Sequence, residues 1–231
     1  MSHQRKTRTK STDSPPSRHL RKLRQVRFEL AAEAARIIAT EGQTNFHVAK
    51  KKAAERIGVN PRLALPSNLE VQNALQHYQQ LYGGEEHASN LEHLRRAAID
   101  AMNLLRDFSP RLVGPVLDGT AGRHSRISFH VFCDEPEDLV FFFLENGISF
   151  DQSQRQIRWH DGSYRTIQIL VVEAGGNKAE LAVFSPLDLR QAPPSPIDGK
   201  PQRRANQVEV ECLLRQPADR AGIDAIIQHQ G

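Results

Sequence analysis

The side chains best able to bind an anion gather in one stretch. Residues 112–131 read LVGPVLDGTAGRHSRISFHV. From Arg126 to Phe132 polar and apolar residues alternate, which predicts a β-strand. Ile127, Phe129 and Val131 would face one side, and Ser128, His130 and Phe132 the other. Arg126 shares the second face, and Arg123 and His124 stand in the loop before it. Together they form a basic, polar concavity suited to an anion or the phosphates of a nucleotide, without metal. A solvated sheet face is the plainer alternative. Zinc would need ligands beyond His124 and His130. Ser128 and His130 do not make a nucleophile pair, because side chains at i and i+2 stand roughly 6–7 Å apart along a strand.

The same 20 residues resemble the signature of the nucleotidyltransferase superfamily, the polymerase-beta-like fold. That signature is a strand, a Gly-Ser turn into a helix, a loop, and a strand with two Asp residues one position apart. Leu112-Val113-Gly114 matches the strand and first glycine, and Gly119-Thr120 the small pair ending the short helix. Ser125, Ile127 and Val131 match the frame around the two carboxylates. The resemblance implies a small mixed sheet with flanking helices. It also implies a nucleotide site drawn from Gly114, Gly119, Thr120, Arg123, Ser125, Arg126, Ser128 and His130. In such a site two carboxylates on one strand face bridge divalent metals, which align a triphosphate for in-line attack.

The signature is broken at its chemical centre. Pro115 stands where the Ser belongs and removes a hydroxyl and an amide donor. Arg126 and Ser128 stand where the two Asp belong. Only the third carboxylate has a counterpart, Glu180 in Ala-Glu-Leu-Ala-Val-Phe, which is the one candidate catalytic residue. The expectation is a degenerate member that binds a nucleotide or another phosphate-bearing partner without efficient transfer. No cofactor is expected. Mg²⁺ would enter only in the alternative, an active transferase with a shifted carboxylate set such as Asp118, Asp134 and Glu180.

Helices must precede this segment. Apolar periodicity predicts helices over about 26–41 and 46–57, the latter stopped by Gly58. Ser67-Asn68-Leu69-Glu70 reads as a capping box opening a third helix, broken by Gly83-Gly84. Ser89-Asn90-Leu91-Glu92 reads as another, opening a fourth that ends near Ser109-Pro110. After the signature come a helix near 136–144, strands over 164–172 and 179–184 joined at Gly175-Gly176-Asn177, a Pro-rich loop over 191–206, and a short helix over 207–214. This ordering predicts an α+β fold: a helical segment over 26–88 and a nucleotidyltransferase-like domain over 89–231. One of Phe141-Phe142-Phe143 should reach a domain or subunit contact, since three in a row cannot share a side.

The first two helices also resemble the opening of helix-turn-helix regulators. A recognition helix should follow within about 3–4 residues. Instead residues 60–66 intervene, and the next helix presents Glu70, Gln72, Gln76 and Gln79. A helical cap on the C-terminal domain is the better expectation.

Composition narrows the class. The chain has 231 residues, is 39% hydrophobic and 25% charged, and has no apolar run near the roughly 18–20 residues of a membrane span. Its two cysteines, Cys133 and Cys212, are too few for a disulfide framework or a four-cysteine zinc site. A reducing, cytoplasmic setting is expected, with no membrane partner and no secretory signal. The formal charge of +4 is uneven. Residues 1–27 hold nine Lys and Arg and one Asp, so they sum to +8 and the remaining residues to −4. Residues 1–25 read as a basic, disordered tail, and residues 1–27 as a possible contact for nucleic acid.

Overall fold

The structure is a computed structural model and describes residues 18–43, 45–60 and 64–215. It is α+β: a helical N-terminal segment followed by a mixed five-stranded sheet with flanking helices. The helical segment comprises α1 (Arg18–Glu41), α2 (Phe46–Ile57) and α3 (Asn68–Tyr82). Leu30, Ala34, Ile37, Ala53, Ala54 and Val71 close its own small core. The α2 boundaries follow from local chemistry. Asn45 accepts the amides of His47 and Val48, and Gly58 ends the helix at φ 73°, a left-handed conformation that glycine adopts without strain. The Ser67–Glu70 capping box forms as the sequence predicts.

Two helix starts differ from expectation. α1 begins at Arg18, so residues 18–25 of the anticipated tail are helical. Residues 1–17 lie outside the described residues. Leu23 is the first α1 residue placed against the helical core, and deleting residues 1–18 is expected to leave the melting temperature unchanged. A drop of several degrees in calorimetry would refute this. α4 (Gly84–Leu104) starts five residues before Ser89. Glu85 and Glu86 sit in its first turn and favour the positive end of the helix dipole, so the Ser89 pattern falls in a helix already under way.

The sheet follows. β1 (Arg111–Val113) leads through Gly114 into the one-turn helix α5 (Pro115–Asp118). Then come β2 (Ile127–Phe132), α6 (Pro136–Glu145), β3 (Phe150–Arg158), β4 (Tyr164–Ala174), β5 (Asn177–Phe184) and α7 (Gln207–Arg215). The strand order is β1-β2-β5-β4-β3, with β2 and β5 parallel and the other neighbours antiparallel. β4 and β5 join at Gly175 and Gly176, both at positive φ, as a two-residue hairpin requires.

β3 is absent from the sequence expectation. Its residues are nearly all polar and exposed, so neither face carries an apolar alternation. The signal that could have found it is the Asp161-Gly162 turn, where Trp159 and Ser163 close the loop through a 2.7 Å amide–carbonyl bond.

One sheet face is sealed by α4 and α6 around Phe129, Leu139, Phe143 and Leu181. Phe143 is buried there, Phe142 packs edge-on against Phe108, and Phe141 is exposed. The opposite face carries a smaller cluster of Phe132, Trp159, Ile167, Ile169 and Phe184. Among the described residues no helix is long and apolar enough to cross a membrane.

Candidate functional site

Parallel pairing of β2 with β5 sets Ser128 level with Glu180. Antiparallel pairing of β1 with β2 sets Val113 level with Ser128. Gly114 follows at φ 69° and ψ −152°, a conformation open to glycine, and its α-carbon faces the Ser128 side chain. Gly114 at the end of β1, Ser128 on β2 and Glu180 on β5, far apart in sequence, are thus brought to neighbouring positions across three adjacent strands.

Glu180 is not a free carboxylate. Arg155, on β3, grips it with two hydrogen bonds of 2.8 and 3.0 Å. Arg126 adds a contact at 3.6 Å. The Glu180 side chain is 16% exposed, whereas Arg126 and Arg155 are 51% and 55% exposed. Two guanidiniums thus enclose one carboxylate, leave one net positive charge, and keep N–H donors toward solvent. Such half-exposed forks suit phosphate oxygens. Arg155 was missed from sequence because its strand was missed.

The donor set does not fit the paired Mg²⁺ ions of a transferase. Magnesium needs several hard oxygen ligands, and carboxylates are the usual protein ones. Here the single carboxylate is occupied by two cations, and Arg126 repels a third. The shifted set is not brought together either. Asp134 lies beyond Phe132, at the opposite end of β2 from Ser128, with Asp107 and Asp138 beside it in a shallow cavity of about 320 Å³. Asp118 is on α5, where burial pushes its carboxyl above the ordinary range, against the pull of Arg203 and a Gln72 hydrogen bond. Among the described residues no group of three or more His, Cys, Asp or Glu is placed to hold a metal.

The remaining sequence candidates divide. Arg123 forms an ion pair with Glu86 of α4, and the Ser125 hydroxyl accepts the Gly122 amide at 2.9 Å. His124 packs against Gly42 at the end of α1. Gly119 and Thr120 face α4 and α3 respectively. The Gly119 carbonyl meets His87 Nε2 at 3.1 Å, and the Thr120 carbonyl accepts from Gln79 at 2.9 Å. The amides of Asp118, Gly119 and Thr120 return to the carbonyls of Gly114 and Pro115, so they close the turn rather than point to a ligand. Arg95, only 7% exposed, donates to the Val116 carbonyl at 3.3 Å.

His130 shares the Ser128 face but is buried. Arg204, from the 191–206 loop, donates its Nε–H to His130 Nδ1 at 2.9 Å and an Nη1–H to the Asp188 carbonyl at 2.7 Å. The guanidinium lies over Phe132 and Phe184. Burial, and then the Arg204 charge, push the His130 pKa down to about 3. Burial lowers that of Arg204 to about 10. The ring is therefore neutral, with its proton on Nε2. The loop is stitched to β1 as well, through paired bonds of 2.8 and 2.9 Å between Leu112 and Ala205.

Fold and site thus define an α+β protein with an arginine-clamped carboxylate at the junction of β1, β2 and β5. No family model matches the chain, and no curated protein does. Among solved structures, a chain of the Cid1 poly(U) polymerase with MgGTP bound aligns at 15% identity and a TM-score of 0.27, over 40% of this chain and 32% of that one. The chain spans about a third of that polymerase's length, and a likeness of this size carries no argument about it.

Proposed function

We propose that this chain is a nucleotidyltransferase-like protein with a degenerate transfer site, which binds a nucleotide or another phosphate-bearing partner in the cytoplasm. One observation carries the reading: Glu180, level with Ser128, is held by Arg155 and Arg126. An intact site would place metal ions there to meet a triphosphate. In this chain the guanidiniums supply positive charge at the same carboxylate, and each offers a planar fork of donors for phosphate oxygens. Arg126 and Arg155 do the binding, Ser128 adds a hydroxyl, and Glu180 orients both arginines. No step of transfer is assigned to any of them.

The test is a thermal-shift panel of nucleoside triphosphates and inorganic triphosphate, with and without Mg²⁺. Stabilisation that does not need metal is expected, and it should vanish in Arg126→Ala with Arg155→Ala. A ligand at 100 times its Kd stabilises by about 2.7 kcal/mol, well within reach of the method. Stabilisation only with Mg²⁺ would overturn the metal-free reading in favour of a metal-dependent transferase. No stabilisation by any compound would refute both readings.

A further inference from the structure

The first half of α1 carries charge that the fold does not use. From Arg18 to Phe28 there are five Lys or Arg and no Asp or Glu. Arg27 is bound to Glu70 of α3 at 2.7 Å. Arg18, Arg21, Lys22 and Arg24 are exposed and have no ion pair among the described residues. At roughly 100° per residue, Leu23, Val26, Leu30 and Ala34 form the row that packs into the helical core. Arg21, Arg24 and Phe28, at i, i+3 and i+7, form the opposite row, with Arg18 and Lys22 beside them. Phe28 is 70% exposed within this basic row.

We propose that this outward face of α1 binds single-stranded nucleic acid. The charge complement is a polyanion, since four exposed cations within about two turns match a run of phosphates. The aromatic ring selects the single strand, whose bases are free to stack on it, as on other sequence-tolerant strand binders. A membrane surface fits poorly. A helix lying in an interface needs a wide apolar face, and here Leu23, Val26 and Leu30 are already committed to the protein core. The surface differs from what the sequence implied, because a helix fixes the spacing of these cations. The proposal is independent of the Glu180 site.

Fluorescence anisotropy of the full chain with a labelled 20-nucleotide single strand of mixed sequence tests it. The variant Arg18→Ala, Arg21→Ala, Lys22→Ala, Arg24→Ala keeps the basic residues before position 18. It is expected to bind at least tenfold more weakly, and its slope of log K against log salt should be shallower by about 3, as loss of four phosphate contacts implies. Phe28→Ala should weaken binding at least about fivefold with the salt slope unchanged. All these positions are exposed, and unaltered melting temperatures would confirm intact folding. Wild-type binding by the quadruple variant would overturn the proposal. So would equal affinity for a duplex of the same sequence, or retention on vesicles of 30% phosphatidylserine without binding to the strand.

Discussion

Incubated with ATP or CTP and Mg²⁺, the protein is expected to transfer no nucleotide above background. Phosphoryl-transfer sites work almost wholly by positioning and charge stabilisation. Removing one such stabilising group typically costs roughly 10²–10³ in rate. On the proposed reading two are missing, since Arg126 and Ser128 stand where the signature has carboxylates and Arg126 adds opposing charge. Their combined loss would leave at most about 10⁻⁴ of the activity of an intact site. The structure adds a third obstacle, the two hydrogen bonds by which Arg155 occupies Glu180. The variant Arg126→Asp, Ser128→Asp, Arg155→Gln therefore gathers three carboxylates where pairing brings Ser128 level with Glu180. It should bind Mg²⁺ in a calorimetric titration and melt higher with the metal than without it. Turnover should stay absent, because Pro115 still withholds a hydroxyl and an amide. No heat of binding would mean that the face of Ser128 and Glu180 is not a metal face in disguise. Robust transfer by the unaltered protein would end the degenerate reading altogether.

Between pH 6.5 and 4.5 the protein is expected to lose about 2 kcal/mol of stability through His130 alone. The folded state holds this ring neutral down to about pH 3, whereas an unfolded histidine takes up a proton near pH 6.5. In that interval the unfolded chain binds more protons, so stability falls as pH falls, by at most 1.36 kcal/mol per unit. The stability is fully present above the unfolded pKa. Below about pH 4.5 other groups join. Arg36 holds the Glu33 carboxyl below its ordinary range, and Lys52 does the same for Glu41. Each adds stability above the unfolded carboxylate pKa that is lost as pH falls through the lower folded value. Urea unfolding at half-unit steps separates the two windows. His130→Asn keeps an acceptor for the Arg204 N–H but cannot titrate, so it should flatten the curve between pH 6.5 and 4.5 only. An unaltered slope in that variant would assign the loss elsewhere.

What the sequence disclosed depended on how local the cause was. Gly58, the Ser67–Glu70 box and the Gly175-Gly176 turn act within a few residues, and each element they bound stands where the pattern placed it. β2 and β5 were legible because Ile127, Phe129 and Val131, and likewise Ala179, Leu181 and Val183, recur at every second position toward the helix-covered core. The meeting of Gly114, Ser128 and Glu180 was legible only through resemblance to a known signature, since no local rule pairs β2 with β5. Arg155 was illegible because β3 has no apolar stripe. Nothing near Arg204 in sequence points to His130, 74 positions away. Contacts of that kind are set by tertiary closure, which leaves no periodic trace.

The two rims of the sheet are guarded in different ways. At the β1 rim, the Leu112 and Ala205 backbones satisfy each other, so no other chain can add there. At the β3 rim, no described strand pairs with the outer side of a nine-residue strand. Its protection is side-chain chemistry: Asp151, Arg155 and Arg158 must shed water before a second strand can approach, and Gln and Ser offer it no apolar grip. Arg155 keeps the rim charged, and an evolutionary drift toward Val or Ile along residues 151–158 would turn a soluble edge into a template for fibrous association.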